Sequence, residues 1–126
     1  MNDARRFLKS DEGMVQTFSE RFKRNAPDYS IINFITHVNG FTMMDLVSYD
    51  IKHNESNGEN NNDGTEFNYS WNCGIEGKTR KRAVMRSRMN QIRNAFTMLL
   101  CSQGTPMLLA GDEFGNTQLG NNNAYC

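Results

Sequence analysis

Residues 111–115, Gly-Asp-Glu-Phe-Gly, set two carboxylates, Asp112 and Glu113, directly behind an apolar stretch at 106–110. If that stretch is a parallel strand, the pair stands at its carboxyl end, where parallel-sheet proteins place their ligands. There the carboxylates can exchange protons or accept from hydroxyls. The other reading is a turn with solvated acids, and local chemistry does not separate the two. A second apolar stretch, 30–36, is followed by His37, Val38, Asn39 and Gly40. Asn39-Gly40 is a strong turn pair, and His37 has the chemistry of a general base or a substrate donor. With no nucleophile or metal partner near it in sequence, a structural role suits it better. The same holds for His53.

Phe67, Tyr69 and Trp71 lie close together in Phe-Asn-Tyr-Ser-Trp-Asn-Cys-Gly. Aromatic faces among amides suit sugar, because pyranose rings stack on the rings while amides bind the hydroxyls. A small satellite core under a long loop is the alternative. Acidic residues are absent from Gly77 to Gly111, whereas seven Lys or Arg fall between Lys78 and Arg93. On a helix Arg82, Arg86 and Arg93 share an arc of about 40°. That arc is either a phosphate-binding patch or, as we prefer, the solvated face of an amphipathic helix. The cysteines, Cys73, Cys101 and Cys126, are odd in number and lack metal-ligand spacing. They read as reduced thiols, Cys73 and Cys101 buried, in a cytoplasmic protein.

The elements that must position these groups are few. Residues 30–36, β-branched and aromatic, predict a strand buried on both faces. From about residue 81 to 101, Met85, Met89, Ile92, Phe96 and Leu99 recur at spacings of four and three, which predicts a helix with one apolar stripe. Gly104 and Pro106 end it, and 106–110 read as a second buried strand. Strand, helical crossover, strand is the parallel arrangement of an α/β protein. Two strands do not make a stable sheet. Residues 3–8 and 13–22 predict short helices with Phe7, Leu8, Met14, Val15, Phe18 and Phe22 as an apolar face. Residues 54–64 hold five Asn, two Gly and no aliphatic residue. They are either a disordered linker or an ordered functional loop.

Composition narrows the class. The chain has 126 residues, a formal net charge of zero and 37% apolar residues, and its mean hydropathy is −0.70. Neutrality argues against a nucleic-acid binder. No apolar run approaches the roughly 18–20 residues of a membrane span, and the first residues do not form a signal peptide. One domain of this length should fill its own core, yet the apolar supply is short.

Taken together, His-Asn-Glu-Ser-Asn-Gly-Glu-Asn-Asn-Asn-Asp-Gly at 53–64, Asn-Tyr-Ser-Trp-Asn-Cys-Gly-Ile-Glu-Gly at 68–77 and the run from Ser102 through Pro-Met-Leu-Leu-Ala-Gly-Asp-Glu-Phe-Gly to Cys126 closely resemble one family. It is the glycogen-debranching, isoamylase-type branch of the α-amylase superfamily. Residues 2–15 also resemble the segment that precedes the seventh barrel strand there. The resemblance implies a (β/α)₈ barrel glycoside hydrolase that cuts α-1,6 branch linkages of glycogen, limit dextrin or a related α-glucan with retention, without cofactor or metal. Residues 31–36 then resemble the seventh strand, the helix from about 81 to 101 the following helix, and 106–110 the eighth strand.

On that resemblance, residues 1–126 are a C-terminal portion of the barrel cut at both ends, whose partner is the missing remainder. The nucleophile and the acid/base would lie upstream, so the chain alone is expected to be inactive. The family's His-Asp pair before Gly-Phe-Thr falls on Val38 and Asn39. Asn39 thus stands, as a neutral amide, where the family has its transition-state-stabilising Asp. Losing that charge costs several kcal/mol of barrier. Tyr69, Trp71, Asp112 and Glu113 are the expected substrate-binding residues. A non-catalytic glucan-binding or regulatory remnant is the alternative, and a basic interaction helix built on Arg82, Arg86 and Arg93 the third.

Overall fold

The computed structural model describes residues 2–24 and 28–125. Cys126, one of the expected thiols, lies outside them. The chain opens with α1 (Asn2–Leu8) and α2 (Met14–Phe22), continues through β1 (Ile32–Asn33) and α3 (Met43–Leu46), and reaches the long helix α4 (Arg82–Cys101) and then β2 (Thr105–Pro106). Short 3₁₀ turns sit at Glu55–Asn57 and Asp112–Phe114.

The first two helices fold on each other because their aromatic residues meet. Phe7 stacks on Phe18 with ring centroids 4.4 Å apart, and Phe22 packs against Phe18 at 5.7 Å. Asp3 and Arg21 add an ion pair across the hairpin at 3.0 Å. The expected apolar face is corrected at one residue: Val15 is 73% exposed while Met14 is buried. Val15 borders an open groove with Phe7, Leu8 and the turn residues Ser10 to Gly13, and among the described residues nothing closes over it there. Ala4 and Leu8 cover the main core.

β1 and β2 pair in parallel, Ile32 opposite Thr105 and Asn33 opposite Pro106, as the order strand, crossover, strand predicts. Thr105 N–H donates to Ile31 O and Met107 N–H to Asn33 O, both at 2.8 Å. Pro106, lacking an N–H, sits between the two bonds and gives up none. The predicted strands are corrected in length and in burial. Only two residues of each pair, and Ile32 is 59% exposed and Leu108 48%. A strand is covered on both faces only when layers and neighbouring strands flank it, and among the described residues each strand has one neighbour. The described residues form a small mixed α/β unit with a two-stranded sheet. Gly104 stands at φ +116°, and a Cβ there would meet Ile31 O at 2.6 Å. Its lack of a side chain therefore serves the approach of the two strands, while α4 itself stops at Cys101 with Ser102 already extended.

The core gathers Ile35, Phe41, Met43, Leu46, Val47, Tyr49 and Cys73 against Ile92, Ala95 and Leu99 of α4. The buried stripe of α4 is Arg88, Ile92, Ala95 and Leu99, at the predicted spacings of three and four but rotated from the predicted set. Met89 is 37% exposed and Arg88 takes the inward place. Its guanidinium donates to Ile75 O and, at 3.1 Å, to Asn72 O. Loop carbonyls that no strand satisfies needed a donor there. Arg82, Arg86 and Arg93 lie on the exposed side of α4.

Residues 54–64 form an ordered loop. Asn54 donates to Asn122 Oδ1 at 2.9 Å and accepts from Asn122 N–H at 2.9 Å. Asn57 and Asn121 exchange side-chain bonds, the shorter at 2.6 Å. The Asn-rich loop and the Gly-Asn-Asn-Asn run near the end of the chain are two halves of one clasp.

Candidate functional site

The loops that follow the two strands are fastened to each other by Asp112. Its Oδ1 accepts from Met43 N–H at 2.8 Å, satisfying an open amide at the start of α3, and its Oδ2 accepts from the Thr36 hydroxyl. Asp112 is 2% exposed and Thr36 also 2%. Burial pushes the Asp112 carboxyl above its ordinary range, with the bonds from Met43 and Thr36 opposing. Both oxygens of Asp112, one of the expected substrate-binding residues, have partners inside the protein. Glu113 next to it is exposed, and its Oε2 accepts from Gly111 N–H at 2.8 Å.

The loop after β1 rises from buried Thr36 to exposed Val38 and Asn39 and returns to the interior at Gly40 and Phe41. His37 is half-buried. Its Nδ1 accepts from Asn39 N–H at 3.2 Å and its ring stands edge-on to Phe34. Burial, helped by the charge of Arg5, holds its pKa below the usual histidine value. The hydrogen bond makes His37 the brace of the Asn39 turn. His53 likewise braces a loop: its Nε2 meets Glu76 Oε1 at 3.2 Å, and its backbone N–H reaches Gly120 O at 2.7 Å. Burial would raise the Glu76 carboxyl. Donors from Asp50, Asn72, His53 and Ile51 outweigh it and hold the group below its ordinary range.

Tyr69 and Trp71 belong to a different face. With Arg5, Leu8, Met43, Leu46 and Gln91 among its walls, they line a cavity of about 30 Å³. Trp71 is 40% exposed and its backbone N–H donates to Leu46 O at 2.9 Å. Phe67 is 74% exposed and Cys73 is buried, so the aromatic segment is neither wholly a satellite core nor wholly free. Burial pushes the Cys73 thiol up. Cys101, expected buried, is exposed because it falls on the outer side of the last turn of α4.

Arg5, which sequence reasoning passed over, ties the two faces together. It is 3% exposed, donating from Nε to Ile35 O at 2.8 Å and from Nη1 to Asn68 O at 3.2 Å. Burial lowers its pKa to about 10, with the nearby Asp112 charge opposing the fall. Asp45 was missed as well: fully buried, it accepts from the Thr117 hydroxyl at 2.5 Å and Gln118 N–H at 2.8 Å. Nothing in the spacing of either residue marks it. The matching Asn runs of the clasp were a signal in plain view. Among the described residues no group of three or more His, Cys, Asp or Glu is placed to hold a metal ion, and no helix is long and apolar enough to cross a membrane.

Two post-strand loops are thus joined by a buried carboxylate, and Arg5 links the first of them to the amide-rich aromatic segment on the other face. No protein-family profile matches the chain. Curated relatives do. The chain is 46% identical, over 98% of its length, to "Isoamylase 3, chloroplastic" of Oryza sativa subsp. japonica, of which it covers 17%. It is 48% identical over 99% of its length to "Glycogen operon protein GlgX homolog" of Haemophilus influenzae, covering 21% of that protein. With the protein of the same name in Mycobacterium tuberculosis it shares 58% identity over 75% of its length. The chain is therefore homologous, over most of its length, to one segment of isoamylases and glycogen operon proteins, and spans about a fifth or less of each of these relatives.

Proposed function

We propose that this chain is one segment of a glycogen-debranching, isoamylase-type glycoside hydrolase acting with retention on α-1,6 branch linkages of glycogen or a related α-glucan. On this reading β1, α4 and β2 are the seventh strand, following helix and eighth strand of a (β/α)₈ barrel, and the exposed strand residues face the remainder of that barrel. The observation that carries it is the joining of the two post-strand loops by Asp112 in a chain with such relatives. Active sites of such barrels lie at the carboxyl ends of the strands.

Asn39 then takes the place of the transition-state-stabilising carboxylate. It can hydrogen-bond a sugar hydroxyl but adds no charge opposite an oxocarbenium-like centre. Glu113 accepts from hydroxyls, and Trp71 with Tyr69 offers stacking area. Asp112 serves binding by holding the Asn39 loop and the Glu113 loop in register, as a positioning residue. The chain by itself lacks the nucleophile and the acid/base and hydrolyses nothing. The free thiols Cys73 and Cys101 suit a reducing compartment.

The exposed Trp71 and the amide at position 39 favour a second reading, a glucan-binding or regulatory remnant without chemistry. Both are tested by incubating the chain with a branched maltooligosaccharide, assaying reducing ends and titrating Trp71 fluorescence. The first reading expects no reducing ends from the chain alone, and their release by contaminant-free protein overturns its inactivity. The second expects saturable binding that is lost in Trp71→Ala. Absence of binding at millimolar ligand eliminates it.

A further inference from the structure

The chain contains the dipeptide Asn-Gly at two places, Asn39-Gly40 and Asn57-Gly58, and the fold treats them in opposite ways. An asparagine followed by glycine is open to attack by its own backbone. The glycine amide nitrogen has no Cβ beside it to hinder approach, and it reaches the side-chain carbonyl carbon of the asparagine in a five-membered ring. At Asn57 each group the reaction needs is engaged. Its Nδ2 donates to Asp63 Oδ2 at 2.7 Å and to Asn123 O at 3.1 Å, and its Oδ1 accepts from Asn121 at 2.6 Å. The Gly58 N–H donates to Glu55 O at 3.3 Å.

At Asn39 the side chain is exposed, and among the described residues neither its carboxamide nor the Gly40 N–H has a hydrogen-bond partner. The loop is pinned at the Asn39 backbone and beyond Gly40, but not at the two groups that react. His37 Nδ1 holds Asn39 N–H, and the Thr42 hydroxyl caps α3 through Asp45 N–H at 3.1 Å. Gly40 stands at φ +137°, a conformation that L side chains rarely adopt, and a Cβ built there meets nothing nearer than Arg5 Nη2 at 4.0 Å.

We propose that Asn39-Gly40 is a self-modifying site, at which the folded protein converts the Asn39 amide to a carboxylate without an enzyme. The Gly40 nitrogen gives up its proton and bonds to Asn39 Cγ. The Cγ–Nδ2 bond breaks and ammonia leaves with that proton, producing a cyclic imide. Water then opens the ring at one carbonyl or the other, giving aspartate or its isomer with the chain routed through the side-chain carbon. No electrons are gained or lost. The consequence rests on the reading of position 39 given above: the direct product puts a negative charge where the debranching family has its third carboxylate. The modification itself does not depend on that reading.

The test is a time course of the purified chain at mildly alkaline pH. Peptides containing residues 39 and 57 are followed by mass and retention time, and an Asn39→Asp variant marks the direct product. In the folded chain Asn39 should convert at least about tenfold faster than Asn57, the factor expected when reaction at Asn57 must await a local opening that breaks several hydrogen bonds. In strong denaturant the two rates should converge, because both dipeptides are then equally free. The proposal is overturned if Asn57 converts as fast as Asn39 in the folded chain, if Asn39 stays amide while the denatured chain reacts, or if the preference for Asn39 persists in denaturant. Glucan binding does not enter the readout, so its failure would leave this result standing.

Discussion

Residues 54–64 carry five Asn and no aliphatic side chain, and their loop is fastened by side-chain amides to Asn121, Asn122 and Asn123. Residues 30–36 and 106–110 are among the most apolar stretches of the chain, and they end with Ile32 and Leu108 about half exposed. The polar region is finished and the apolar one is not. Amide hydrogen bonds are directional and short-ranged, so two Asn-rich runs satisfy each other wherever the chain brings them together. Apolar strand faces are covered only by further layers and strands, and the described residues supply one neighbour per strand.

Substitutions can break that comparison, the largest effect coming first from a residue that is covered. Ile35→Ala, at a site 2% exposed just beyond β1, should cost about 3 kcal/mol through lost burial and the cavity left behind. The check is denaturant unfolding followed by the fluorescence of Trp71, the single tryptophan of the chain. Next comes the clasp. Asn122 donates to Thr65 O and Asn68 Oδ1 at 2.8 Å each and accepts from Asn54 at 2.9 Å. Asn122→Ala leaves those partners buried and unpaired and should cost about 2–3 kcal/mol. Hydrogen exchange should then speed up across 54–65 and 120–123 and leave α4 protected. Exchange unchanged in the loop would show that the amides do not hold it.

Asp112→Asn keeps the shape but sets an amide NH2, which cannot accept, against one of the two donors, at a cost of about 1–2 kcal/mol near neutral pH. It also tests a pH dependence. Because burial raises the folded pKa of Asp112, the folded state holds its proton longer than the unfolded chain does. The stabilisation this gives is complete below the ordinary carboxylate pKa and is lost as pH rises through the folded pKa. Unfolding midpoints measured over that window should fall with pH less steeply in Asp112→Asn than in the parent. Equal slopes would mean that Asp112 contributes nothing to them. The smallest effect belongs to the uncovered strand: Ile32→Ser should change stability by no more than about 0.5 kcal/mol. A cost near that of Ile35→Ala would mean that something covers β1 in solution, self-association included, and the dependence of the midpoint on protein concentration would reveal it.

Much of this was legible before the fold. The four-and-three spacing of Met85 to Leu99 located α4 to within a residue, and the sequence order of strand, helix and strand anticipated the parallel pairing. The Asn39-Gly40 turn and the carboxylates after β2 were marked by type and position. The inward turn of Asp112 was not legible, because it answers to the Thr36 hydroxyl and the open amide of Met43, both about seventy residues away. Arg88 displaced Met89 from the buried stripe for the same kind of reason, since its acceptors are the carbonyls of Asn72 and Ile75. Arg5, on a short helix of ordinary composition, gave no sign that it would be the residue tying the post-strand loop to the aromatic segment.

By itself the sequence determined what depends on neighbours along the chain: the period of α4, the glycine and asparagine turns, the zero net charge, and the segment-long likeness to isoamylases and glycogen operon proteins. Only the tertiary structure decided which polar groups turn inward and which apolar ones stay outside. Which carbonyl a guanidinium finds, or which amide a carboxylate caps, is set by distances between residues far apart in sequence, and periodicity carries no information about those. The two Asn-Gly dipeptides show the division most sharply. Alike as sequence, one is bound into a clasp and the other stands open at the carboxyl end of a strand.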